Sequence, residues 1–120
     1  PLQAARRAPN PAVVVLMLPW VNEPGRLEDL CLASMYARWP NHTGCLEAFC
    51  ECAGTNAWPT SKRGKMRVRA MISATCLHDP NTSLVHAWSE GRENLIPLDH
   101  EVFNRVADFL SGFDGLVAGV

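Results

Sequence analysis

The feature that most constrains this chain is the run Ala12–Leu18, an uninterrupted series of apolar residues rich in valine. A continuous apolar run with β-branched residues is typical of a strand that is buried on both faces. Pro19 ends the run, because proline has no N–H group to donate to a strand ladder. A single buried strand leaves its own backbone groups unpaired, so the prediction also requires neighbouring strands from elsewhere.

The remainder of the chain predicts helices, because its apolar residues recur at helical spacing. We expect Pro40 to close the first helix, Gly54 to cap the second and Asp99 to cap the last. The predicted helices are Arg26–Arg38, Cys45–Ala53, Gly64–Leu77, Thr82–Glu90 and His100–Gly112. The predicted inward residues beyond the first helix are Leu46, Phe49, Cys50 and Ala53, then Met66, Ala70, Ala74 and Leu77, then Val102, Val106, Phe109, Leu110 and Phe113. The first helix has apolar residues on two sides, which predicts that it is covered on two sides.

These elements predict an α/β fold that is helix-rich, with one or few buried strands. Residues 1–11 are expected to form a flexible lead-in, and residues 12–120 a single domain. Because the buried strand lacks partners, we expect either a homo-oligomer or a partner chain that completes the sheet.

Composition narrows the functional classes. The net charge is −1, so any attraction to nucleic acid must come from a local patch. No apolar run approaches the roughly 20 residues that a membrane-spanning helix needs, so no membrane partner is expected. The five cysteines favour buried thiols in a reducing cytoplasm. A zinc site is the alternative, but the spacing of His42, Cys45, Cys50 and Cys52 lacks a Cys-x2-Cys knuckle.

An acidic group follows the predicted strand, where open α/β sheets bind ligands. Glu23, Glu28 and Asp29 supply hard oxygen donors of the kind that Mg²⁺ prefers. The alternative needs no ligand, because acidic residues in the first turn of a helix interact favourably with the helix dipole.

A basic group lies at the start of the third predicted helix, comprising Lys62, Arg63, Lys65, Arg67 and Arg69. Cations at a helix N-terminus oppose the dipole, which suggests a compensating role such as phosphate binding. Lys62, Lys65 and Arg69 are the predicted phosphate-binding residues. The alternative is a solvated face with ion pairs to Glu47, Glu51 or Glu90.

The segment Leu18–Leu32 carries a recognisable pattern, with Pro-Gly-x-Leu-Glu-Asp-Leu at Pro24–Leu30. With this pattern the chain resembles the C-terminal half of a bacterial TOPRIM-like family of unknown function, similar to the TOPRIM domain of the overcoming-lysogenisation-defect (OLD) nucleases. The resemblance runs from about Val13 to Phe113. The family's Cys-x3-Phe helix corresponds to Cys45–Phe49, and its lysine-bearing helix corresponds to Lys65–Ala70. The family's Asp-His-x-x-Phe ending with a later Phe-Leu corresponds to Asp99, His100, Phe103, Phe109 and Leu110.

The resemblance implies two-metal chemistry on a phosphodiester, with Mg²⁺ or Mn²⁺ as the cofactor. Glu28 and Asp29 match the downstream acidic position, and Lys65 matches the catalytic lysine, with Lys62 as the alternative. The early glutamate and the Asp-x-Asp pair of TOPRIM nucleases have no counterpart here, and Trp20 stands where the pattern has an acid. An incomplete ligand set predicts weak metal binding and little catalysis.

The leading prediction is therefore a truncated or degenerate TOPRIM-like domain that is inactive alone. The alternative is a small oligomeric interaction module of a bacterial mobile-element or defence system. A third hypothesis is nucleic-acid binding through Lys62, Lys65 and Arg69, which a steep fall of affinity with salt would reveal.

Overall fold

The computed structural model describes residues 5–6, 13–14, 25–88, 94–113 and 115. The helices are α1 (Leu27–Arg38), α2 (Pro40–Ala53), α3 (Thr60–Thr75), α4 (Leu84–Ala87) and α5 (Asn104–Ser111). Short 3-10 turns lie at Thr55–Ala57 and Glu101–Phe103. Two strands of two residues each, β1 (Ala5–Arg6) and β2 (Val13–Val14), pair antiparallel, with Ala5 opposite Val14.

The predicted α/β fold with buried strands is wrong for the part of the chain that the structure describes, whose regular secondary structure is helical apart from the β1–β2 pair. Of the predicted strand Ala12–Leu18, only Val13–Val14 lies within the described residues, and it pairs with β1. The physical reason is that α1 is covered by other helices. It contacts α2, α3 and the Glu101–Phe103 turn, so its apolar surface is buried without a sheet.

The α1–α2 junction shows how one proline serves two helices. α1 ends at Arg38, as predicted, and Pro40 is the first residue of α2. Proline is favoured at that position because the first N–H groups of a helix have no intrahelical partner. α2 therefore begins five residues before the predicted start at Cys45. Its end is as predicted, with Gly54 as a left-handed cap at φ 73°.

The core lies where α1, α2 and α3 meet. α1 contributes most of it, with Leu30, Cys31, Leu32 and Met35 buried, which confirms that this helix is covered on more than one side. α2 contributes only Leu46 and Cys50, while the predicted inward residue Phe49 is 56% exposed. The remaining members of the core cluster are Val68, Met71, Ile72, Ala87, Leu95, Ile96 and Phe103.

The buried face of α3 differs from the predicted one. Val68, Met71, Ile72 and Thr75 are buried, and they recur at helical spacing. Of the predicted face, Met66 and Ala70 are partly buried against the core, whereas Ala74 is exposed and Leu77 is 89% exposed and lies beyond the helix. Val68, Met71 and Ile72 bury more apolar area than the two alanines, so they face the core.

Hydrogen bonds fasten the second half of the chain to this core. Ser34 Oγ donates to the Pro97 carbonyl at 2.5 Å, and Trp39 Nε1 donates to the Leu95 carbonyl at 3.3 Å. The predicted cap Asp99 is replaced by His100, whose Nδ1 accepts the Val102 N–H at 3.1 Å. A 3-10 turn precedes α5, so this helix begins four residues later than predicted.

On α5 the core face is narrower than predicted. Phe109 is buried, whereas Leu110 is 62% exposed and Phe113 is 39% exposed. Within the described ranges, none of the helices has the length and apolar composition needed to cross a bilayer.

Candidate nucleic-acid interface

Positive charge is concentrated on α3. This helix carries five of the chain's eleven Lys and Arg residues and none of its twelve Asp and Glu residues. The other parts of the chain therefore carry a clear excess of negative charge, although the net charge of the whole is only −1. This segregation of charge produces a positive local potential at α3, even though the net charge of the chain is close to zero.

The outer face of α3 presents three of these cations. Lys62, Lys65 and Arg69 are exposed and lie at positions i, i+3 and i+7, so they share one face of the helix. We call these three residues the basic stripe. Its ends are separated by about 10 Å, given a rise of about 1.5 Å per residue. Among the described residues, none of the three forms an ion pair, because the one ion pair found there joins Arg67 to Glu47.

Arg69 has a structural contact as well. Its Nη1 donates to the Thr82 carbonyl at 2.8 Å, which holds the loop after α3. A guanidinium has five N–H donors, so the remaining ones are free to bind an oxyanion.

Trp58 extends the basic stripe at its N-terminal end. The Nζ atom of Lys62 lies 3.9 Å from the centroid of the Trp58 ring, in a cation–π contact. The tryptophan is half-buried and stands between the Thr55–Ala57 turn and α3. Proteins that bind single-stranded nucleic acids combine an aromatic face, on which a base stacks, with cations that contact the phosphates.

Arg67 lies on another side of α3 and has a structural role. Its guanidinium binds both carboxylate oxygens of Glu47 and donates to Tyr36 Oη at 3.2 Å and to Asn56 Oδ1 at 2.9 Å. The hydrogen bond from Arg67 lowers the pKa of Glu47, and Glu47 in turn raises the pKa of Arg67. The predicted alternative of an ion pair to Glu47 is thus confirmed for Arg67.

The predicted acidic ligands lie beside α3. A Cβ placed on Gly64 would meet the Cβ of Glu28 at 3.4 Å, so α1 and α3 approach closely at this glycine. Asp29 Oδ2 accepts the backbone N–H of Arg26 at 2.8 Å, so this carboxylate stabilises the start of α1. The predicted alternative, a role in the first turn of the helix, therefore accounts for Asp29.

Asp29 also borders a groove of about 470 Å³ between α1 and α3. The other lining residues are Leu32, Ala33, Tyr36, Thr60, Arg63, Gly64 and Arg67. The structure thus brings Glu28 and Asp29 to the first half of α3, but the predicted catalytic residue Lys65 does not line the groove. Glu23, the third predicted ligand, lies outside the described residues.

Within the described ranges, no group of three or more His, Cys, Asp and Glu side chains is arranged to hold a metal ion. None of the five cysteines forms a disulfide; Cys31 and Cys50 are buried, and Cys45 and Cys52 are exposed. The four residues considered for zinc therefore do not come together in this part of the chain.

Trp58 is not among the site residues predicted from the sequence. The sequence places Trp58 four residues before Lys62. Because the chain is not yet helical at Pro59, this spacing does not by itself predict the contact, which only the tertiary structure shows. The fold and this site together define the class, a small helical domain with one cationic helix face. No family profile, curated protein or solved structure matches the chain, so the TOPRIM resemblance stays a prediction.

Proposed function

We propose that this chain is a nucleic-acid-binding module whose contact surface is the basic stripe of α3. The observation that carries the proposal is the exposure of Lys62, Lys65 and Arg69 on one helix face without an ion pair among the described residues. Holding three like charges together costs free energy in the isolated chain. Binding to a phosphate backbone offsets this repulsion, because the nucleic acid releases counterions when the cations bind.

The interaction is with the backbone rather than with base edges. The stripe spans about 10 Å, the length that about three nucleotides of one strand occupy along the axis of a duplex at about 3.4 Å each. Lysine and arginine contacts to phosphate position a nucleic acid and carry no sequence information. We therefore expect binding that depends weakly on sequence and strongly on salt.

The test is a fluorescence-anisotropy titration of labelled oligonucleotides, single-stranded and duplex, at several salt concentrations. Three phosphate contacts predict a slope of log K against log salt of about −2 for a single strand and about −2.7 for a duplex. The double variant K65Q/R69Q removes two contacts and is expected to lower the affinity about tenfold or more at low salt and to flatten the slope by about 1.4 for a single strand.

The matched control is R38Q/R105Q, which makes the same change in net charge on α1 and α5. It is expected to bind within about twofold of the wild type, since non-local charge is screened beyond about 10 Å. If both double variants lose affinity equally, the stripe has no special role. If neither nucleic acid binds the wild-type chain at low salt, the proposed function is wrong.

Metal-dependent phosphodiester cleavage stays a prediction, and its expected outcome is no activity from this chain alone. What supports that outcome is the incomplete ligand set, with Asp29 engaged at the start of α1. The assay incubates plasmid DNA with the chain and Mg²⁺ or Mn²⁺. Robust cleavage that Glu28→Ala abolishes would contradict the inactivity and restore the nuclease hypothesis.

A second candidate function is self-association, and the exposed face of α2 supports it. Phe49 is 56% exposed beside a largely apolar groove of about 280 Å³ between α2 and α3. Light scattering at several concentrations tests this hypothesis, with Phe49→Glu as the variant expected to dissociate a dimer. A chain that remains monomeric at every concentration would exclude it.

A further inference from the structure

The loop that carries Trp58 is held in place by hydrogen bonds. Its backbone N–H donates to the Thr55 carbonyl at 3.0 Å, and Thr55 is itself buried. Arg63 Nη1 donates to the Asn56 carbonyl at 3.0 Å, and Arg67 Nη2 donates to the Asn56 side chain at 2.9 Å. Two arginines of α3 thus fasten the turn that precedes Trp58, so the backbone that carries the ring is ordered before any ligand binds.

A lysine ammonium contacts one face of the Trp58 ring. Lys62 Nζ stands 3.9 Å from the ring centroid and is exposed, so the cation is replaceable by another flat or cationic group. When a base stacks on the tryptophan, the phosphate of the same nucleotide offers the displaced ammonium of Lys62 a new partner. A base can therefore replace Lys62 on the ring without leaving the ammonium unpaired.

We propose that Trp58 is a stacking platform for one unpaired base, with the adjoining phosphates bound by the basic stripe, and that the ligand is therefore single-stranded nucleic acid. This inference rests on the proposed function and names its substrate class. A duplex presents phosphates to the stripe but keeps its bases stacked on one another, so it has no free base face for Trp58. Every base has a π-face, so stacking tolerates any sequence.

The experiment compares an eight-nucleotide oligothymidylate, the corresponding oligouridylate and a duplex of the same length, each labelled and titrated at low salt. Two variants separate stacking from bulk. Trp58→Phe keeps an aromatic face, and Trp58→Leu keeps apolar volume without one. Circular dichroism and the thermal midpoint establish that both variants fold like the wild type.

We expect Trp58→Leu to lose about 5- to 150-fold in affinity for the single strands, the range that one stacked base provides. Its affinity for the duplex is expected to stay within about twofold, and Trp58→Phe is expected to retain most of the single-strand affinity. Comparison of the two oligonucleotides shows whether DNA or RNA is preferred, and either one binding through Trp58 supports the inference.

Intrinsic fluorescence gives a second readout that is independent of affinity. Stacking quenches the tryptophan, so saturating oligothymidylate should quench the Trp20→Phe chain and leave the double variant Trp20→Phe/Trp58→Phe nearly unchanged, because Trp39 and Trp88, the two other tryptophans, lie elsewhere in the fold.

The inference is overturned if single strands and duplex lose affinity equally in Trp58→Leu, or if neither loses any. In those cases a salt-dependent affinity that K65Q/R69Q abolishes would leave the proposed function standing. Absence of binding to all three nucleic acids would remove the proposed function and this inference together.

Discussion

Cys31 links the stability of the core to alkaline pH. This thiol is fully buried at the centre of α1, and burial raises its pKa from an ordinary value of 9.0 to about 11. Above about pH 9 the unfolded chain releases the thiol proton while the folded chain retains it. The associated stability is therefore fully present below pH 9 and is lost as the pH rises towards 11.

The magnitude follows from the two pKa values. A shift of about two units corresponds to a limit of about 2.7 kcal/mol in the free energy of unfolding. The linkage relation gives a loss of about 1.4 kcal/mol at about pH 10 and about 2.3 kcal/mol at about pH 11. For a domain of this size such a loss is a large fraction of the total stability.

The assay is urea unfolding at 25 °C across this pH range for the wild type, Cys31→Ala and Cys45→Ala. Cys31→Ala removes the titrating group, so its unfolding free energy should lack that part of the alkaline decline, at a roughly constant cost from the smaller side chain. Subtracting the two curves cancels the titration of tyrosine and lysine. Cys45→Ala removes an exposed thiol and should decline like the wild type. A difference between wild type and Cys31→Ala that is independent of pH would refute the reasoning.

Three further predictions concern glycine, the Arg67 network and thiol access. Gly64→Ala should raise the unfolding free energy by about 0.5–1 kcal/mol, because a Cβ there meets Glu28 at an ordinary contact distance. Gly54→Ala should lower the unfolding free energy by about 1 kcal/mol, because φ at this position is 73°. Thermal melts check both signs, and a stabilising Gly54→Ala would contradict the second prediction. Glu47→Gln should remove up to about 1 kcal/mol of the unfolding free energy, since Arg67 stabilises the charged form of Glu47. This contribution is present above the ordinary carboxyl pKa and is lost as the pH falls through the lowered pKa of Glu47. Acid unfolding of wild type and variant measures the contribution, and identical acid profiles would count against the prediction. Exposed thiols should react with a maleimide within minutes and buried ones only on unfolding, as mass spectrometry would show, and equal labelling of all sites would argue against the described core. The fast thiols are Cys45 and Cys52, and the slow ones are Cys31 and Cys50.

Local signals predicted the presence of the helices and the ends of α1 and α2, but not the starts of α2, α3 and α5. The end of α1 at Arg38 and the cap at Gly54 follow from proline and glycine chemistry that acts within a few residues. The apolar residues of α1 predicted its burial on two sides, because their number and spacing exceed what one contact face needs. The cationic character of α3 is likewise a property of composition alone.

Tertiary structure decided which of several equivalent faces is buried and what each charge contacts. Met66 and Val68 both lie on apolar lines of α3, and only the position of α1 selects the line through Val68. Arg67 and Lys65 are alike in sequence, but Glu47 on α2 reaches only Arg67 and leaves Lys65 exposed. The predicted buried sheet was wrong for the described part of the chain, because an apolar segment indicates that it is buried but not which elements cover it. Contacts between residues distant in the chain depend on how the helices pack, and no local pattern encodes that geometry.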